Sequence, residues 1–216
     1  VFSRARGLAA TEIRRSCDGW RFSQRFELET TPVSGETSRT ILTLEATESF
    51  DGKTYAFQSL NDFGIGDPVR LIGQAKLDDA DGGSVNYTEP TSWDVSLPAD
   101  AVFAVSWIKR GLEAAARGAG SVRAHWFVGA SLDEPMLVNS IILPTPPITG
   151  AEGLLAGERW RFVSAFFSAR SETTPEYEGE ETVTATGVLT EATYRYDGYD
   201  LRLELQRVEP LPSPDC

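Results

Sequence analysis

Apolar side chains recur along this chain at every second position far more often than at every third or fourth. From residue 20, Trp20, Phe22, Phe26 and Leu28 share one parity, and Arg21, Ser23, Arg25, Glu27 and Glu29 hold the other, with only Gln24 breaking the apolar set. A period of two predicts a β-strand with one buried and one wet face. Similar alternation predicts strands over 8–15, around Leu42, Leu44 and Ala46, and through Tyr55 and Phe57 after the Asp51-Gly52 hairpin signal. More follow over 69–77, 84–88, 93–97, 122–128, 137–143, 182–189, 192–196 and 200–208. Residues 1–7 read as an irregular, partial first element, and Thr31-Pro32-Val33-Ser34-Gly35 as a turn. The stretch 160–169 is apolar on both parities, which predicts burial on both faces. One segment breaks the rule: over 101–117, Val105, Ile108, Leu112 and Ala115 recur at helical spacing, with Asp100 placed as N-cap and Gly118 as stop. The expected fold is all-β and mainly antiparallel, a barrel or strongly curled sheet of about a dozen or more strands with one helix, in a single domain over 1–216.

Charge narrows the partners. The 216 residues carry a formal charge of -12, which repels nucleic acid and anionic lipid headgroups. No apolar run reaches the roughly 18 residues of a membrane helix; the longest, around Ile141 to Leu143, is expected to stop at Pro144. The chain opens on Val1, which fits a processed product. Its two cysteines, Cys17 and Cys216, suit either a reduced cytosolic protein or an oxidised exported one, and their placement at the two ends favours a disulfide.

Candidate chemistry is sparse. With one histidine, His125, set among Val122, Ala124, Trp126 and Phe127, a structural imidazole is the better reading, and no metal or cofactor is expected. Asp78-Asp79-Ala80-Asp81-Gly82-Gly83 lacks the closing glutamate of a calcium loop. There is no Gly-x-Ser-x-Gly elbow and no phosphate loop. Glu176, Glu178, Glu180 and Glu181 are dense enough to raise a carboxylate-dependent hydrolase, but beside Pro175 and Gly179 they read as a solvated turn. The aromatic residues say more. Trp20, Phe22, Phe26, Trp160, Phe162 and Phe166 either fill the interior or line an apolar cavity for an acyl chain or a lipid-modified partner.

Two stretches carry a family resemblance. IRRSCDGWRFSQRFELE, built on Cys17, Asp18, Gly19 and Trp20, is similar to the opening motif of the envelope integrity protein B (EipB) family, periplasmic proteins of alphaproteobacteria. The C-terminal block from PEYEGEE to the terminal cysteine, with Pro175, Tyr177 and Glu178, resembles that family's ending, and the middle of the chain fits more loosely. One departure stands out: Ala104 and Trp107 occupy the places where the family carries a proline and a histidine, so no role of that histidine carries over. The resemblance implies a spiral-like β-barrel, a Cys17–Cys216 disulfide, a periplasmic location and a part in envelope integrity. It further implies likeness to curled lipoprotein carriers, association with a tetratricopeptide-repeat periplasmic protein, and no catalytic activity. The expected function is therefore non-catalytic binding of another envelope component. Carriage of lipid or lipoprotein is the alternative, and a hydrolase ranks third.

Overall fold

The computed structural model describes all residues except Val1, Ser34, Asp79, Ala80, Asp133, Glu134, Ala169, Arg170, Glu172, Ser213 and Asp215. Two positions of the candidate calcium loop, Asp79 and Ala80, thus lie outside the described residues.

Among the described residues, fourteen strands form two seven-stranded antiparallel sheets, with one α-helix and one short 3-10 turn, Gly153–Leu155. The first sheet runs in chain order: β1 (Phe2–Arg15), β2 (Gly19–Pro32), β3 (Ser38–Ser49), β4 (Thr54–Asp62), β5 (Val69–Asp78), β6 (Gly82–Glu89) and β7 (Trp93–Leu97). After β8 (Ala101–Val102) and α1 (Ala104–Ala116) come β9 (Ser121–Trp126), β10 (Met136–Thr145), β11 (Arg159–Phe167), β12 (Tyr177–Thr184), β13 (Leu189–Tyr196) and β14 (Tyr199–Glu204). The second sheet runs from β14 back to β8. The chain divides into two compact units, one of residues 1–105, 127–134 and 213–216, the other of 106–126 and 135–212.

In the first unit the alternating pattern does what it predicts. Leu44 and Ala46 of β3, Tyr55 and Phe57 of β4, Leu71 and Ala75 of β5, and Val85 and Tyr87 of β6 are all buried. Their rings interlock: Tyr55 stacks on Phe103 at 4.9 Å, and Phe57 meets Tyr87 and Phe127 edge-on at 5.4 Å each. Such contacts add to area burial because each ring edge meets the electron-rich face of its neighbour. The irregular segment 127–130 belongs to this core. Tyr55 Oη donates to the Val128 carbonyl at 3.0 Å, Ser59 Oγ to Gly129 at 2.9 Å and Asn61 Nδ2 to Ala130 at 2.8 Å. Three side chains on one parity of β4 thus bond to carbonyls of this irregular segment.

In the second unit, α1 lies on β9–β12. Ala114 and Ala115 join Val122, Ile142, Trp160 and Phe162 in a buried cluster against which Trp107, Leu112 and Val183 pack. Small residues let the helix approach: a Cβ on Gly111 would stand 3.3 Å from the Phe162 ring. The helix stops where Gly118 predicts, with φ of +71°. Ala119 N–H donates back to the Ala114 carbonyl at 2.9 Å and Gly118 N–H to Ala115 at 2.9 Å, the paired closure of a Schellman motif.

Several expectations change. Residues 2–7 belong to β1, because β2 offers a partner from Phe2↔Pro32, with a register shift before Arg4↔Thr31, through to Arg15↔Trp20. The helix begins at Ala104, and Ala101–Val102 is a short strand. Strand 182–189 is displaced: β12 spans Tyr177–Thr184, so the acidic run is strand and not turn, and the reversal follows at Gly187, φ +87°. Pro144 does not stop its strand. Beyond Ile141, β10 pairs only with β11, so proline's missing donor costs no ladder bond. On β11 the burial is one-sided: Trp160, Phe162, Ser164 and Phe166 are buried, while Val163, Ala165 and Phe167 are half-exposed.

Candidate functional site

The Cys17-Asp18-Gly19-Trp20 motif is the β1–β2 hairpin. Ser16 closes it twice on the Gly19 carbonyl, by its N–H at 2.8 Å and its hydroxyl at 3.0 Å. Gly19 is buried, and a Cβ there would fall 2.2 Å from the Glu48 carbonyl oxygen, so no larger residue fits. Trp20 is half-buried and meets Phe50 edge-on at 5.8 Å. Asp18 is exposed. Cys17 and Cys216 are bonded to each other, Cα atoms 5.7 Å apart, across 199 residues, and both sit at the surface.

A carboxylate missed by the sequence reading lies beside this hairpin strand. Glu48 continues the buried parity of Leu44 and Ala46 on β3 and is only 2% exposed. Its Oε2 accepts the Val105 N–H at 2.7 Å, in the first turn of α1. It supplies from a distant strand the acceptor that Asp100 was expected to provide, and its charge matches the positive end of the helix dipole. The available signal was parity: an acidic residue on the inward set needs a buried partner.

The sequence-predicted aromatic residues fall into separate surroundings. Phe22 is buried and Phe26 half-buried, both in the first unit with Trp20. Trp160 and Phe162 pack in the cluster under α1. Phe166 belongs to a different group with Met136, Val138, Trp107, Trp126 and Tyr177.

From Phe166 an aromatic row crosses the rest of the second sheet. Phe166 stacks on Tyr177 at 4.3 Å, Tyr177 on Tyr196 at 5.0 Å, and Tyr196 on Tyr199 at 5.0 Å. Strand register builds the row, since Phe166↔Tyr177 and Tyr196↔Tyr199 are direct cross-strand partners. The row grades outward from buried Phe166 to Tyr199, which is 46% exposed. Burial pushes the Tyr196 hydroxyl up to about 12.

Beside the row the same face carries polar groups. Tyr194 donates its hydroxyl to Glu181 Oε1. Burial holds the Glu181 carboxyl above the usual carboxylate range despite that hydrogen bond, and holds the Tyr194 hydroxyl well above the usual tyrosine range. Buried Ser140 and Ser164 face each other at 2.7 Å on neighbouring strands. Gly179 leaves room between Tyr194 and Phe166, where a Cβ would sit 3.1 Å and 3.2 Å from their rings.

The pleat divides the acidic run. Tyr177, Gly179 and Glu181 share the helix-bearing parity, whereas Glu178 and Glu180 take the opposite one, where Arg195 Nη2 bonds Glu180 at 2.6 Å. Glu181 is therefore separated from Glu178 and Glu180, and Glu180 is held by Arg195. Pro175 leads into β12, where the Glu176 N–H donates to the Phe166 carbonyl at 2.8 Å. His125 is half-buried on β9 opposite Leu137. Among the described residues no group of three or more His, Cys, Asp or Glu side chains is placed to hold a metal ion, and no helix is long and apolar enough to cross a membrane.

Comparison with solved structures finds the crystal structure of a β-barrel-like protein of the domain of unknown function DUF1849 from Brucella abortus. It is 17% identical, with a TM-score of 0.81, over 93% of this chain and 86% of that one. At this identity the likeness shows the fold: mainly antiparallel β, barrel-like, with open rather than closed sheets. A search of curated proteins finds no match. Residues 1–212 match the EipB-like family, whose opening and closing motifs the sequence carries at Cys17 to Trp20 and at Pro175 to Glu178. The chain belongs to the EipB-like family.

Proposed function

We propose that this protein is a non-catalytic, periplasmic binding protein that supports the integrity of the cell envelope by engaging another envelope component. The observation that carries the reading is the Cys17–Cys216 disulfide, with both cysteines at the surface. A surface disulfide is maintained in oxidising compartments and reduced by cytosolic thiols. Binding rather than catalysis is favoured by the division of the glutamates between two faces and by the aromatic row, which ends in half-exposed Tyr199. The partner class is a periplasmic envelope protein, with a tetratricopeptide-repeat protein as the form the family resemblance suggests.

A second reading, carriage of lipid or lipoprotein, draws on the same aromatic face of β11–β14, because stacked rings graded from buried to exposed suit an apolar ligand. In a strain lacking the protein, sensitivity to detergents and other envelope stresses is expected, with rescue by an exported copy. Rescue by a copy confined to the cytoplasm would contradict the proposal.

A further inference from the structure

The β4–β5 connection lifts two apolar side chains clear of the first sheet. Its sequence is Asp62-Phe63-Gly64-Ile65-Gly66-Asp67-Pro68. Phe63 is 56% exposed and Ile65 83%, more than any other large hydrophobic residue among those described. The loop is braced. Asp62 Oδ1 accepts the Gly64 N–H at 2.9 Å, and a Cβ on Gly64 would lie 2.6 Å from the Arg39 carbonyl oxygen, so the backbone rests against β3. At the foot of the loop Asn61 is tied to the Ala130 carbonyl at 2.8 Å. A braced loop has already given up the freedom with which it would hide its apolar side chains.

Other exposed apolar residues lie in connections at the same end of the sheet, where β2 and β4 finish and β3 and β5 begin. Val33 in the β2–β3 connection is 70% exposed and Val69 at the start of β5 39%; Leu132, two residues beyond the anchored Ala130, is 56% exposed. Phe63 and Ile65, two residues apart on one braced loop, form the exposed apolar pair that marks an interaction site. Its charged rim is acidic. Asp62 and Asp67 lie in the loop itself and Glu36 in the β2–β3 connection at the same end of the sheet, whereas Arg39 is engaged by Glu27 at 2.5 Å and Arg70 by Glu89 at 3.6 Å. With a net charge of -12 behind it, this tip is repelled by an anionic bilayer and complements a basic surface.

We propose that residues 62–68 form a docking knob: Ile65 and Phe63 enter an apolar pocket on a partner protein whose rim of lysine and arginine side chains faces Asp62, Asp67 and Glu36. The proposal rests on the reading that this chain works by binding another protein, and it gives that binding a location and a chemistry.

The test is photo-crosslinking in living cells, with a benzophenone amino acid in place of Ile65 in the exported protein and a second probe in place of Tyr199. The Ile65 probe should capture a different protein. That partner, once purified, should bind wild type, bind Ile65→Ser about tenfold or more weakly, and lose affinity as sodium chloride is raised. Ile65→Ser should melt like wild type, since the side chain is exposed. Capture only of a second copy of this chain, an unchanged affinity for Ile65→Ser, or flotation with phosphatidylglycerol vesicles that Ile65→Ser abolishes would each overturn the knob. If the Tyr199 probe captures a partner and the Ile65 probe does not, the knob is wrong and the binding reading stands. If neither captures a protein in cells where the protein is functional, both fall.

Discussion

Glu48 holds the first turn of α1: the residue is 2% exposed and its carboxylate accepts the Val105 N–H at 2.7 Å. Glu48→Ala would leave that donor without its acceptor and open a void, at a cost of about 1–3 kcal/mol, or a melting temperature lower by roughly 3–10 °C for a chain of this size. Glu48→Gln keeps an acceptor of the same shape and should cost less than the alanine. Thermal melting of the two variants decides the point, and equal melting for Ala and wild type would show that the bond contributes nothing. Glu181 acts in the opposite sense. Its folded carboxyl is raised above the ordinary value of 4.5, mainly by burial, so the folded state resists ionisation more than the unfolded chain does. Stability is then lost as pH climbs from about the ordinary value through the raised one. Glu181→Gln removes the titration and retains an acceptor for Tyr194. Its melting temperature relative to wild type should rise as pH climbs above the ordinary value of 4.5, and a difference that does not change with pH would refute the assignment.

Among elements, the segment after β9 depends most on one backbone position. Gly129 has φ of +77°, and a Cβ there would sit 2.2 Å from the Phe57 ring. Gly129→Ala should destabilise by about 2 kcal/mol or more, through left-handed strain and a displaced core ring; a urea midpoint equal to wild type would contradict this. The strands themselves were legible because one-face burial leaves a period of two. Trp93–Leu97 was placed to the residue, and the Asp51-Gly52 turn lies where its chemistry puts it. Legibility failed where tertiary pairing overrode local cues. The basic stretch at 2–7 reads as irregular, yet β2 extends to pair with it. The glutamate-rich stretch reads as a wet turn because four of its side chains are acidic, yet β11 and β13 take it as strand and its pleat sends Glu181 inward. The motif residues were legible as a motif, but neither the tyrosine row nor the Tyr194–Glu181 pair was. Both arise from cross-strand register, which a single strand's sequence does not contain.

For the molecule as a whole, the Cys17–Cys216 bond joins two residues of the first unit and closes a loop of 199 residues. Loop-entropy reasoning puts the stabilisation near about 5 kcal/mol. Cys17→Ser and reduction of the wild type should therefore lower stability alike, by several kcal/mol in chemical denaturation, and unchanged stability on reduction would rule out a structural role.

The central claim is that a disulfide-closed β protein in the periplasm works by binding another protein. Native mass spectrometry of a detergent-free periplasmic extract, without reductant and with free thiols alkylated, tests it most directly. The account predicts an unalkylated chain, lighter than the reduced form by the hydrogens of one disulfide, recovered without lipid and partly in complex with a second protein. An alkylated chain, or one that carries a lipid-sized adduct lost on denaturation and no protein partner, would contradict it.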